Sequence, residues 1–182
     1  LCSGNRRGLF SPHVGGVQWG SGAMGNARWR GVRLGDVLRK AGVLPDALEV
    51  AFDGGDSPVM PGGPDYQKSL PAAKALDKNT LIALEMNGEQ LPPLHGAPAR
   101  LVVPGWTATY WIKHLSSIEV RKTPFDNFWV KTGYRIPAGA FPELEKFSSQ
   151  ETPVNTPITD IAVNSLITTP APATTLARGA GI

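Results

Sequence analysis

Residues 1–7 read "LCSGNRR" and set the single cysteine of the chain beside two arginines. Two kinds of chemistry fit a sulfur at Cys2: nucleophilic attack, or thiolate ligation of a soft or high-valent metal centre. Both need the deprotonated form, which the charges of Arg6 and Arg7 favour electrostatically. A nucleophile would also need a base, and His13, His95 and His114 are the histidines available. The bland alternative is a small, inert, buried hydrophobe with two surface arginines nearby, the common fate of a free cysteine. Residue type alone leaves these readings open.

The elements that must position Cys2 are short. The chain has 182 residues, enough for one ordinary domain or one domain plus part of a second. Its 21 Gly and 17 Pro are spread without a period, which excludes collagen and tandem repeats and predicts a loop-rich mixed fold. The run 29–41, "WRGVRLGDVLRKA", spaces Val32, Leu34, Val37 and Leu38 near the helical period and stops at Gly42, predicting a helix over Leu34 to Ala41. "ALEVAFDG", "TLIALEMNG", "ARLVVPG" and "HLSSIEVRK" are apolar runs bounded by Gly, Pro or Asn, and they read as strands. Asn87-Gly88 predicts a tight hairpin turn.

Bulk properties remove several function classes. A net charge of +3 is too small for a general nucleic-acid binder, although "GNRR" and "NARWRGVR" form local basic patches suited to small anions. No stretch reaches the roughly 20 apolar residues of a membrane span. No glycine-rich nucleotide loop follows a strand, so ATP and NAD are not expected. The composition turns polar and Pro-containing at "SSQETPVNTP" before the alternation of "ITDIAVNSLI". That predicts a first unit over 1–150 and a second, incomplete one over 151–182. The start at Leu1 and the Pro/Ala/Thr/Gly-rich end lead to the expectation of a fragment, with an upstream part of the first domain missing.

"CSGNRR" resembles the cysteine motif of the sulfite oxidase family of molybdenum enzymes. "ARWRGVRLGDVLRKAG", "FDGGD", "DYQKSLPAAKAL", "LEMNGEQLPPLHGAPARLVVPG", "IKHLSSIEV" and "GYRIP" follow in that family's order, over nearly all of residues 2–137. "VVPGWTATYWIKHL" and "NTPITDIAVNSLIT" look most like the family's bacterial sulfite dehydrogenase branch. The resemblance implies an α+β molybdopterin-binding fold, followed by the start of an immunoglobulin-like β-sandwich that serves for dimerisation. It implies the molybdenum cofactor, with Cys2 as the metal's thiolate ligand. Arg7 would bind the anionic substrate, with Arg6 as outer support, and Tyr134 in "GYRIP" would be the active-site tyrosine. The pterin and its phosphate would be held by Asp56, His95, Arg100, Trp111, Ile112 and Lys113.

Each role suits its residue type. Soft sulfur suits an electron-accepting metal, and a planar guanidinium suits a compact oxyanion better than lysine does. A phenol donates without adding charge. The ordinary readings stand beside them: Asp56 caps a Gly-rich turn, His95 is a loop histidine, and Arg100 and Lys113 are solvated charges. Tyr66 in "DYQKSLP" reads as structural.

The implied reaction is oxidation of sulfite to sulfate, with electrons passed to a c-type cytochrome, because a chain with one cysteine has no CxxCH haem motif of its own. The resemblance also implies a periplasmic location and a homodimer or heterodimer. Rival readings are a nitrate reductase, a methionine sulfoxide reductase disfavoured by Arg7, a catalytically silent assembly module, and, more distantly, a cysteine protease.

Overall fold

The computed structural model describes residues 1–42, 45–140, 143, 146–162, 165, 169, 174, 175 and 178. Its central strand is β2 (Glu49–Gly54), whose run of apolar residues is buried because β3 (Lys68–Pro71) and β7 (Leu115–Arg121) flank it, both antiparallel. Val50 stands opposite Leu70 on one side and Val120 on the other. A second sheet is built on β4 (Leu81–Met86). β1 (Trp29–Arg33) runs along one edge of it, while β5 (Glu89–Gln90) and β6 (Arg100–Val102) share the other. Side chains of both sheets meet in one core that includes Phe52, Leu70, Leu101, Val103, Trp106 and Tyr110.

Two local predictions are met by the chain. α1 covers Leu34–Ala41, buries Leu34 and Leu38 one turn apart, and ends at Gly42, whose φ of 85° lets its N–H close onto the carbonyls of Arg39 and Leu38. Asn87 and Gly88, at φ 58° and 89°, make the turn between β4 and β5. Val32, read as part of the helical run, lies instead in β1 and is 46% exposed. At Gly31 a Cβ would stand 2.0 Å from the carbonyl oxygen of Ile82, so β1 reaches β4 only because this residue has no side chain.

The four predicted strands are β2, β4, β6 and β7. The short helices α2 (Ala72–Ala75) and α3 (Phe128–Lys131) and a two-stranded sheet of β8 (Arg135–Pro137) and β9 (Asn155–Pro157) complete the mixed α+β fold. Past residue 150 the described chain stays against the first unit: Thr107 donates its N–H to Thr159 at 2.9 Å and Ile161 donates to Gly105 at 2.7 Å. Of the alternation expected over "ITDIAVNSLI", residues 158–162 and 165 are described and carry only an isolated bridge between Asp160 and Trp106, while residues 163, 164, 166 and 167 lie outside the described residues.

Glu49 is fully buried in β2, yet its carboxylate is satisfied. It accepts from Phe125 N–H at 3.1 Å, from Gln150 Nε2 at 3.0 and 3.2 Å, and from the Ser149 hydroxyl. This network ties the segment at 148–150 to the central strand, which a buried carboxylate requires if it is not to be left desolvated and unpaired.

Candidate functional site

Cys2 heads a tight turn. The Gly4 N–H donates to its sulfur at 3.3 Å, Asn5 N–H to its carbonyl at 3.0 Å, and its own N–H to Ala23 at 2.9 Å. The cysteine is half-buried and free of any disulfide. Arg6 takes a left-handed φ of 67°, and its Nη2 donates to the carbonyl of Ser165 at 2.7 Å. Arg7 folds back over that turn: its guanidinium lies where Cβ atoms on Gly4 and Gly16 would be, and Nη1 donates to Val17 at 3.3 Å. Glycine at both positions makes room for the guanidinium beside the cysteine turn.

The cysteine segment is fastened to a second cluster by one turn of 3-10 helix, Ala108–Tyr110. Ala108 N–H donates to the Leu1 carbonyl at 2.8 Å, and the hydroxyl of Tyr66 donates to the next carbonyl, Thr109, at 2.9 Å. Tyr66 in turn stacks on Trp129 at 5.2 Å and edge-on to Tyr134 at 6.4 Å, and Trp129 and Tyr134 lie 5.9 Å apart. Burial, then the neighbouring Tyr134 and Tyr110, push the Tyr66 phenol above its ordinary range. Tyr134 itself sits at φ 57°, an uncommon conformation for a bulky residue. Two residues absent from the sequence-based site complete the cluster. Lys68 is fully buried with its Nζ 4.6 Å from the ring centre of Tyr110 and 5.3 Å from that of Tyr134. The Tyr110 hydroxyl is buried with no hydrogen-bond partner.

The residues expected to hold the pterin and its phosphate form a third group. Gly54 packs so tightly between Asp56 and Lys113 that a Cβ there would lie 2.4 Å from the Asp56 Oδ1 and 2.6 Å from the Lys113 carbonyl oxygen. Gly55 N–H donates to His114 at 2.8 Å. Lys113 Nζ reaches the Leu94 carbonyl at 3.3 Å, and Arg100 Nη1 reaches that of His95 at 3.2 Å. The Arg100 guanidinium stacks 5.1 Å from the ring centre of Trp29 and 5.8 Å from that of Trp111. Trp111 is fixed by its indole N–H, which donates to Val103 at 2.9 Å. Buried Ile112 accepts from Leu101 N–H at 2.8 Å, which ties the segment 111–114 to β6. Asp56, His95 and Lys113 are exposed around this frame.

The donors suit the cofactor that the motifs imply. Arg100 Nε is buried without a partner, as are Ser3 Oγ and Asn5 Nδ2 beside the cysteine, and such orphaned polar atoms are what a polar, anionic ligand would satisfy. Among the described residues no three His, Cys, Asp or Glu side chains converge to hold a metal ion.

Comparison with known proteins gives the same direction. The family model described as the oxidoreductase molybdopterin binding domain matches residues 1–129. The mitochondrial sulfite oxidase of Drosophila melanogaster is 37% identical over 177 residues, covering 94% of this chain and 30% of that protein. The NADH nitrate reductase of Spinacia oleracea is 35% identical over 179 residues, covering 93% of this chain and 19% of that enzyme. The crystal structure of the sulfane dehydrogenase SoxCD from Paracoccus pantotrophus superposes with a TM-score of 0.71 at 25% identity, covering 94% of this chain and 40% of that one. The chain thus spans about a third or less of the length of these curated relatives. With the matched residues running from the cysteine turn to Trp129 of the tyrosine cluster, the chain belongs to the oxidoreductase molybdopterin-binding domain family, in its sulfite oxidase group.

Proposed function

We propose that this chain is the cofactor-binding part of a molybdenum-dependent sulfite dehydrogenase that oxidises sulfite to sulfate and passes the electrons to a c-type cytochrome. The observation that carries this reading is the shared frame described above: a thiol, a guanidinium and a phenol cluster linked through the turn Ala108–Tyr110. The molybdenum cofactor, when bound, supplies the two-electron chemistry and the oxygen transferred to sulfite.

The chain's own residues bind and orient. Cys2 would donate its sulfur to the metal, and the Gly4 N–H directed at that sulfur holds it in place. Arg7 offers a planar fork to two oxygens of the substrate anion. The Tyr134 hydroxyl donates a hydrogen bond that fixes the anion without adding charge. Asp56 accepts from pterin N–H groups, Arg100 and Lys113 pair with the phosphate, and His95, Trp111 and Ile112 shape the wall. We divide the chain into this cofactor domain over 1–150 and the opening of a dimerisation domain over 151–182. The motifs' resemblance to the bacterial sulfite dehydrogenase branch supports a periplasmic location and a homodimeric or heterodimeric assembly.

A second reading, nitrate reduction, draws support from the nitrate reductase of spinach, which is matched nearly as well as the sulfite oxidases. The deciding experiment assays the full-length protein, loaded with molybdenum, for sulfite-dependent reduction of cytochrome c and for nitrate reduction by a chemical donor. Sulfite turnover without nitrate turnover is expected; the reverse would replace the substrate.

A further inference from the structure

Lys68 is a buried cation that the roles above leave unused. Its side chain is wholly withdrawn from solvent at the start of β3, opposite Phe52 of the central strand. An ammonium is strongly hydrated, and a methionine of similar length would fill the same space without the cost of desolvating a charge. Lys68 has instead a specific setting. Its Nζ donates to the Trp129 carbonyl of α3 at 2.5 Å and lies against the rings of Tyr110 and Tyr134. β3, the turn at 108–110 and the stretch 129–134 therefore meet on one amine. The left-handed backbone at Tyr134 makes that ring's position depend on its surroundings. Neighbouring Arg135 is itself held by the carbonyls of Val130 at 2.8 Å and Gln150 at 2.6 Å.

We propose that Lys68 is the positioning residue of the tyrosine cluster: it grips the Trp129 carbonyl, seats the Tyr110 and Tyr134 rings, and places a titratable positive charge behind the phenol that meets the substrate anion. This rests on Tyr134 being the substrate-facing phenol. The groups around the amine are Tyr110 from the turn at 108–110, Tyr134, and Arg135 of β8, with Tyr66 from the loop before β3 packed behind the Tyr134 ring. Glu49 of β2 acts across Tyr110. Burial first, and repulsion from Arg135 second, push the ammonium down to about 7. Anion affinity therefore falls as pH rises through that value, while the neutral amine keeps a donor for Trp129.

The test measures sulfate binding to the molybdenum-loaded full-length protein by calorimetry, at about pH 6 and about pH 8.5, in wild type, Lys68→Met and Lys68→Arg. Sulfate stays a dianion throughout this range, so the ligand's own titration does not interfere. The wild-type Kd is expected to rise about tenfold across the interval. Lys68→Met should bind weakly at both pH values and Lys68→Arg tightly at both, with KM for sulfite following Kd and kcat changing little. Equal Kd for wild type and Lys68→Met at both pH values, or an unaltered pH dependence in Lys68→Arg, overturns the proposal, as does a wild type that binds no sulfate. If Lys68→Met does not fold, the comparison of wild type with Lys68→Arg decides alone. A wild type that shows the expected binding pattern but oxidises no sulfite upholds Lys68 and removes the sulfite reading instead.

Discussion

The backbone N–H of Gly4 points at the sulfur of Cys2 from 3.3 Å, and the guanidinium of Arg7 lies over the same glycine. That hydrogen bond fixes the position of the sulfur at the head of its turn. The same glycine leaves space for the arginine, which couples the proposed metal ligand to the proposed anion binder through one residue.

That coupling makes Gly4→Ala a sensitive probe. The new methyl would stand 2.9 Å from Arg7 Nη2, 3.1 Å from its Cζ and 3.3 Å from Trp19 Cδ1. The arginine's flexible end moves first, so molybdenum content should be retained while KM for sulfite rises about tenfold. Steady-state kinetics beside metal analysis checks this, and an unchanged KM would show that Arg7 does not meet the substrate.

Arg7→Lys keeps the charge but loses the fork. An increase in KM of about tenfold or more, with wild-type thermal stability, is expected. Equal KM values would mean that a point charge suffices.

Gly54→Ala tests the cradle. Its Cβ would collide with the Lys113 carbonyl oxygen as well as with the Asp56 carboxylate. Backbone cannot swing aside as a side-chain end does, so a loss of about 1–3 kcal/mol in stability is expected. Molybdenum retained after dialysis should fall in parallel, measured against the wild type.

Removing the buried carboxylate in Glu49→Ala would strand the Phe125 N–H and the Gln150 amide inside the core. Denaturant unfolding should register a loss of about 3 kcal/mol or more. Glu49→Gln keeps an acceptor and should cost less.

Lys68 also predicts a pH dependence of stability. Its folded value of about 7 lies below the ordinary lysine value of about 10.4, so between those limits the unfolded chain holds more protons. Stability from this group therefore increases with pH above 7 and is lowest below it. Lys68→Met lacks the effect: its melting temperature should exceed that of wild type near pH 6, and the gap should narrow by pH 9. A constant gap would show that the amine does not titrate there.

What was legible in the sequence is local. The helix Leu34–Ala41 and the Asn87-Gly88 turn are set by spacing and by backbone preference, and both appear where those rules put them. β1 was not legible, because "WRGVR" is exposed at four of its five residues and is a strand only through pairing with β4. The proposed roles at the cysteine motif and the cradle rest on family likeness alone, since Asp56, Arg100 and Lys113 look like ordinary surface charges one by one. Lys68 could not be read at all. Lysine between glutamine and serine suggests solvent, and only the convergence of segments around residues 68, 110, 129 and 134 buries it. Tyr66, read as structural, shares its stack with Tyr134, a relation that no linear spacing reveals.

The measurement closest to the central claim is molybdenum content of the full-length protein and of its Cys2→Ser variant, both made in a host that supplies the cofactor, with sulfite-dependent cytochrome c reduction assayed on each. Stoichiometric molybdenum in the wild type, with sulfite activity lost by a factor of about a thousand in the variant, is the predicted result. A wild type without molybdenum, or a variant with full activity, would contradict the assignment of Cys2 as the sulfur that holds the metal.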